Sequence, residues 1–141
     1  GGMAAAVAGA FYDAGFRAGT IIARNEDAGT ALAHRYGYAW APEPGDLRAP
    51  VIVNVTPIGM SGGAESEQLA YPQPTIEAAS VVFDVVAMPV ETPLIRAARA
   101  AGREVITGGE VIALQAAEQF RLYTGVTLSP DDIAQAEAQA N

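Results

Sequence analysis

The sequence predicts an α/β fold built on a doubly wound parallel sheet with helices on both faces. Short β-branched and apolar runs alternate with helical segments along the whole chain, and this alternation is typical of parallel strands joined by right-handed crossovers. The chain has 141 residues, of which half are apolar. That length and composition suffice to bury the core of one domain.

The individual elements follow from local patterns. A helix is predicted over residues 3–14, and Gly15 suits the position after its end. Five strands are predicted from short apolar runs, in the order GTIIARN, YAWA, VIVNVTP, SVVFDVV and REVIT. Helical spacing and end signals predict four further helices, EDAGTALAHRYG, TPLIRAARAAG, GGEVIALQAAEQFRLYTG and SPDDIAQAEAQA. Thr92 and Ser129 are expected N-caps, each followed by proline. PEPGDLRAP is read as a loop with room for one helical turn, and a second loop is rich in glycine.

The chain starts with Gly1-Gly2 and a helix, with no strand before them. In the strand order 3-2-1-4-5-6 the strand that precedes the first helix is central. We therefore expect the first strand to be missing from this chain, cut at its glycine-rich turn, and its two neighbours to lack a partner. An upstream peptide, a segment of another copy or direct pairing of TIIAR with VIVNV could fill the space. Without one of these the chain should not be a stable monomer.

Composition excludes several classes of function. The formal net charge is −8, and the eight basic residues are scattered, which disfavours a nucleic-acid partner. The chain has no cysteine, so disulfides, thiolate zinc sites and a Cys nucleophile are excluded. No apolar run approaches the ~18 residues of a membrane span. We expect a cytoplasmic protein with no membrane partner and no metal site.

Arg24 is the first candidate functional residue. In an NAD site an acidic residue lies roughly 20 residues past the glycine-rich turn and binds the ribose 2′-hydroxyl. Arg24, next to Asn25, occupies that place here. A guanidinium attracts a 2′-phosphate and can bind it bidentately, so this pattern predicts NADP as the cofactor. The alternative is a surface arginine after a plain glycine turn.

Several motifs, in order along nearly the whole chain, carry a family resemblance. They are GGMAAAVAGAF, IIARN, NVTPIGM, FDVVAMPVETPLIRAARAAG and TGGEVIALQAAEQFRLYTG. Together they resemble the shikimate dehydrogenase family, and in particular its shikimate dehydrogenase-like subgroup. The resemblance implies that residues 1–141 are the C-terminal, Rossmann-like NADP-binding domain of a two-domain dehydrogenase. The family's catalytic Lys and Asp would then lie in an upstream domain, so no catalytic residue is assigned here.

The resemblance also implies roles for individual residues. The expected cofactor-binding residues are Gly1, Gly2, Met3, Ala23, Arg24, Asn25, Thr56, Val85 and Gly108. Thr56 and Val85 would lie beside the nicotinamide half, and Gly108 would let the backbone approach it. Gln115 and Ala87 occupy substrate-binding positions. At Ala87 the family has a tyrosine that contacts shikimate, and Glu110 and Val111 also depart from the family pattern. Asn54 and Asp84 are expected to brace the loops that follow their strands.

The whole enzyme is therefore expected to interconvert 3-dehydroshikimate and shikimate, or a related hydroxylated cyclic acid such as quinate, with NADP. The 141-residue chain alone should be inactive. Its expected partners are a small shikimate-like molecule and a second copy in a homodimer. Two alternatives stay open: a non-catalytic nucleotide-binding or regulatory module, and an assembly domain that uses the acidic C-terminal helix.

Overall fold

The computed structural model describes residues 2–125 and 129–140, and the chain divides into two compact units, Gly1–Leu47 and Arg48–Asn141. Strands and helices alternate, and every strand pair in the described residues is parallel. This confirms the predicted α/β class. Gly1 lies outside the described residues, so its predicted role at the glycine-rich turn stays a prediction.

The first unit contains two helices and two strands. Their order is α1 (Gly2–Asp13), β1 (Thr20–Ile22), α2 (Glu26–Tyr36) and β2 (Ala39–Ala41). β1 and β2 are parallel, with Thr20 opposite Ala39. Helix α2 ends at Gly37, whose φ of +70° is the left-handed conformation that glycine adopts at little cost.

The second unit contains a three-stranded parallel sheet in the order β3-β4-β5. Along the chain its elements are β3 (Val51–Asn54), α3 (Gln73–Ala78), β4 (Val81–Asp84), α4 (Pro93–Ala100), β5 (Glu104–Ile106), α5 (Gly108–Thr124) and α6 (Pro130–Ala140). Burial alternates along β3 and β4 between partial and complete. The core of this unit is formed by Ile52, Ile76, Ala79, Val82, Leu94 and Ala98.

Helix α3 is the element that the sequence did not predict. It has six residues, starts after Pro72 and has no side-chain cap. It is therefore too short to show a helical period, and its start is marked only by Pro74 in the first turn. Ile76 is fully buried in the core of the unit. Tertiary packing of this one side chain therefore accounts for a helix that local patterns mark only weakly.

Strands β1 and β3 each have one hydrogen-bonded strand neighbour among the described residues. β1 pairs with β2, β3 pairs with β4, and the two strands belong to separate sheets. Direct pairing of β1 with β3, one of the three expected solutions, does not occur within residues 2–125 and 129–140.

Candidate functional site

The turn from β1 into α2 places Arg24 at the carboxyl end of a strand. The backbone of Ala23 is fixed on both sides: its N–H donates to the Ala41 carbonyl at 3.1 Å, and its carbonyl accepts from Trp40 Nε1 at 3.1 Å. Arg24 follows directly and is exposed. In parallel α/β sheets, ligands bind outside the carboxyl ends of the strands. Arg24 therefore lies where a ligand is expected, and the residue before it is held by two hydrogen bonds.

Asn25 also has a structural role that was not predicted from the sequence. Its Oδ1 accepts a hydrogen bond from the Ala28 N–H at 3.0 Å, which makes Asn25 the N-cap of α2. The amide N–H groups of this side chain and the second lone pair of its Oδ1 are left to face a ligand. The other two arginines of the first unit, Arg17 and Arg35, lie over the rings of Tyr12 and Tyr36 at 3.9 and 5.5 Å.

Gly2 and Met3 open helix α1 at the surface. Met3 is 54% exposed, and a Cβ built on Gly2 would have no atom within 4 Å. The first N–H groups of a helix have no partner inside it, and the helix dipole favours an anion beside them. The start of α1 therefore carries the donors that a phosphate group requires.

In the second unit, Asn54 connects the ends of β3 and β4. Its Nδ2 donates to the Ile58 carbonyl and to Asp84 Oδ1, both at 3.1 Å. Its Oδ1 accepts from the N–H of Thr56 at 3.0 Å and from the Thr56 hydroxyl at 2.6 Å. Asn54 is buried, and all four bonds stay within the protein. This confirms the prediction that Asn54 braces the loop after its strand.

Asp84 is the second centre of the same network and is completely buried. Oδ1 accepts from the Val86 N–H at 2.9 Å, and Oδ2 accepts from the Thr92 hydroxyl at 2.8 Å. Thr92 also caps α4 by accepting from the Ile95 N–H at 3.2 Å. Burial raises the pKa of Asp84 above its ordinary value, while the hydrogen bonds oppose that shift. The carboxylate thus joins β3, β4 and the start of α4.

Four predicted site residues are brought together at this end of the sheet. The Thr56 hydroxyl donates to the side chain of Asn54, and the backbone carbonyl of Asn54 accepts from the Val85 N–H at 3.1 Å. Gly108 packs against the loop after β4: a Cβ placed on it would lie 2.6 Å from the Val86 carbonyl carbon and 2.8 Å from the Ala87 nitrogen. The sequence analysis explained Gly108 by the approach of a ligand, and the structure adds a close approach of backbone.

Gln115 lies apart from these four along the chain, on an exposed position of α5. Its predicted contact with a substrate hydroxyl is not tested by the geometry of the second unit. Ala87 is half-buried beside Gly108.

The loops that follow β3 and β4 also form an open cleft of about 340 Å³. Its lining includes Glu67, Glu91 and Arg96. None of the predicted site residues that the structure describes lines this cleft.

The sequence analysis missed the bond between Asn54 and Asp84 and the one between Asp84 and Thr92. The sequence does hint at the bond between Asn54 and Asp84, since each of these polar residues ends an apolar strand. Predicting the bond also requires the register of the two strands, in which Asn54 lies opposite Asp84. Asp84 and Thr92 are eight residues apart, with a loop and no periodic pattern between them.

No protein-family model matches the chain. A curated relative from Haemophilus influenzae, a shikimate dehydrogenase-like protein, is 53% identical over 140 residues, which are 99% of this chain and 52% of the relative. This chain belongs to the shikimate dehydrogenase family. It spans about half the length of that relative.

Solved structures of shikimate dehydrogenase family members agree with this assignment. A shikimate 5-dehydrogenase-like protein of 53% identity superposes with a TM-score of 0.93 over 98% of this chain and 51% of its own. The shikimate 5-dehydrogenase of Thermus thermophilus, solved in complex with NADP(H) and shikimate, is 30% identical, with a TM-score of 0.79 over 96% of this chain and 51% of its own.

Within the described residues, no helix has the length and apolar character needed to cross a membrane.

Proposed function

We propose that this chain is the NADP-binding part of a shikimate dehydrogenase-like oxidoreductase. The enzyme would interconvert 3-dehydroshikimate and shikimate, or a related hydroxylated cyclic acid such as quinate. The observation that carries the proposal is the position of Arg24. This exposed arginine directly follows the fixed end of β1, where an NAD-binding protein of this fold has an acidic residue.

The described residues of the first unit fit the adenosine half of NADP. Arg24 would pair with the 2′-phosphate, as a guanidinium pairs with a phosphate through two parallel hydrogen bonds. The start of α1 would hold the pyrophosphate, because its first N–H groups have no partner within the helix. Asn25 would contribute its amide N–H groups, which the cap of α2 leaves unused, since that cap is accepted by its oxygen.

The second unit would hold the nicotinamide half at the ends of its strands. The reduced cofactor, NADPH, would donate a hydride from C4 of the nicotinamide to a ring carbon of the substrate, and NADP+ would accept a hydride there in the reverse direction. The chain's own residues would orient that ring. Asn54, held by its bond to Asp84, fixes Thr56 through its side chain and Val85 through its backbone carbonyl. Gly108 fixes the start of α5 against the loop after β4.

The residue at position 87 bears on the choice of substrate. Ala87 stands where the family has a tyrosine that contacts shikimate, and it has no hydroxyl to donate. We therefore expect the enzyme to use shikimate less efficiently than a tyrosine-bearing relative. A hydroxylated cyclic acid that does not depend on that hydrogen bond is the preferred substrate class.

Titration of the chain with NADP and with NAD tests the cofactor assignment. We expect NADP to bind more tightly than NAD, because only NADP carries the 2′-phosphate that Arg24 would pair with. Equal dissociation constants for the two dinucleotides would contradict the assignment. Oxidation of shikimate and quinate by the whole two-domain enzyme, followed as NADPH absorbance, then tests the substrate class.

A further inference from the structure

The hydroxyl of Thr56 has a fixed hydrogen-bonding direction. Its Oγ1 lies 2.6 Å from Oδ1 of Asn54 and 3.2 Å from the N–H of Ile58. Thr56 itself is exposed. What the hydroxyl can offer a ligand depends on how its proton is used.

Backbone groups decide which way the Asn54 amide faces. The Thr56 N–H is only a donor, and it lies 3.0 Å from one end of the amide, which must therefore be the oxygen. The Ile58 carbonyl is only an acceptor, and it lies 3.1 Å from the other end, which must therefore be the nitrogen. Asp84 agrees, because its carboxylate accepts from the same nitrogen.

The Thr56 proton is consequently committed. Between a hydroxyl and the amide oxygen of Asn54, only the hydroxyl can donate, so Thr56 gives its single proton to Asn54. One lone pair of Oγ1 then accepts from the N–H of Ile58. A hydroxyl oxygen has two lone pairs, so Thr56 presents one free acceptor site and no donor.

We propose that Thr56 is a specificity-determining residue that accepts a hydrogen bond from the carboxamide N–H₂ group of the nicotinamide. The inference rests on the proposed function, which puts the nicotinamide half beside Thr56. The hydrogen bonds of Thr56 further require that the ligand group facing this residue be a hydrogen-bond donor. A dinucleotide with nicotinic acid in place of nicotinamide carries a carboxylate at that position, and a carboxylate has only acceptor atoms. Its oxygen would face the lone pair of Thr56 Oγ1 without forming a hydrogen bond.

The test compares the dissociation constants of NADP and of its nicotinic acid analogue on the intact chain. We expect NADP to bind on the order of tenfold more tightly, since the analogue loses one hydrogen bond and gains a contact between two acceptors. Thr56→Val removes the acceptor and should reduce the ratio to about threefold or less. Thr56→Ser keeps the hydroxyl and should retain the full ratio.

The wild-type comparison stands even if Thr56→Val folds poorly, because it needs no variant. Equal binding of both dinucleotides would overturn the role of Thr56 and leave the proposed function intact. Binding of neither would overturn both. A ratio that Thr56→Val leaves unchanged would also overturn the role of Thr56, because the preference would then come from other groups.

Discussion

Gly108, the first residue of α5, lies directly against the carbonyl of Val86 in the loop after β4. Both residues are buried. A Cβ at position 108 would come within 2.6 Å of the Val86 carbonyl carbon, which real Cβ atoms do not approach so closely. The neighbour is backbone next to a sheet strand and cannot swing away like a flexible side chain.

Gly108→Ala should therefore destabilise the chain by roughly 1–3 kcal/mol, the usual cost of overpacking. Urea unfolding measures this as a lower midpoint. Gly19→Ala is the control, because a Cβ there would meet only the Tyr38 ring at 3.5 Å or more, an ordinary contact. Equal midpoints for the two variants would show that the loop after β4 can move aside.

The cap of α4 should contribute more than the cap of α6. Thr92 is completely buried and donates to Asp84 as well as accepting from the Ile95 N–H. Ser129 caps α6 at the surface, accepting from the Asp132 N–H at 3.1 Å. Thr92→Val leaves a buried carboxylate oxygen without its donor, at about 1–3 kcal/mol, whereas Ser129→Ala should cost nearer the ~1 kcal/mol of an ordinary cap.

Thermal unfolding of both variants against the wild type checks this order. A larger loss for Ser129→Ala than for Thr92→Val would contradict the central place of Asp84 in the second unit.

We expect the free energy of unfolding of the wild type, taken relative to that of the Asp84→Asn variant, to decrease as the pH rises. Burial raises the pKa of Asp84 above 3.8 in the folded state, so between 3.8 and that raised pKa the folded protein holds more protons at this group than the unfolded chain. Stability then falls with increasing pH. Burial likewise raises the pKa of Tyr71 to about 12, which leaves it neutral in this range.

The measurement is the free energy of unfolding of both proteins from about pH 4 to about pH 8. The wild-type value minus the variant value should decrease with pH and then level off. Carboxylates common to both proteins cancel in this difference. An increase with pH would mean that the hydrogen bonds from Val86, Thr92 and Asn54 outweigh the burial of the charge.

Arg24→Ala should weaken NADP binding by roughly 1.5–3 kcal/mol, the worth of hydrogen bonds to a charged group. Binding of NAD should be nearly unchanged, because NAD has no 2′-phosphate. Arg35→Ala is the matched control in the same unit, since Arg35 lies over the Tyr36 ring. Calorimetric titration of the three proteins with both dinucleotides measures the effect. Equal losses for NADP and NAD would remove Arg24 from the phosphate site.

Local sequence patterns were enough to predict the alternation of strands and helices and most of their ends. Thr92 and Ser129 cap the predicted helices, and Gly37 and Gly125 end two others in the left-handed conformation. Each of these signals acts between residues that are neighbours along the chain. The location of Arg24 after β1 is predictable for the same reason, because it depends only on where one strand stops.

Only the tertiary structure decided how the strand ends are connected. The bond between Asn54 and Asp84 requires the register of β3 on β4, and register is set by the packing of whole strands. Helix α3 forms because Ile76 enters the core, and the contact of Gly108 with Val86 follows from the packing of α5 against the loop after β4. These interactions join residues far apart in sequence, and no local pattern encodes such distances.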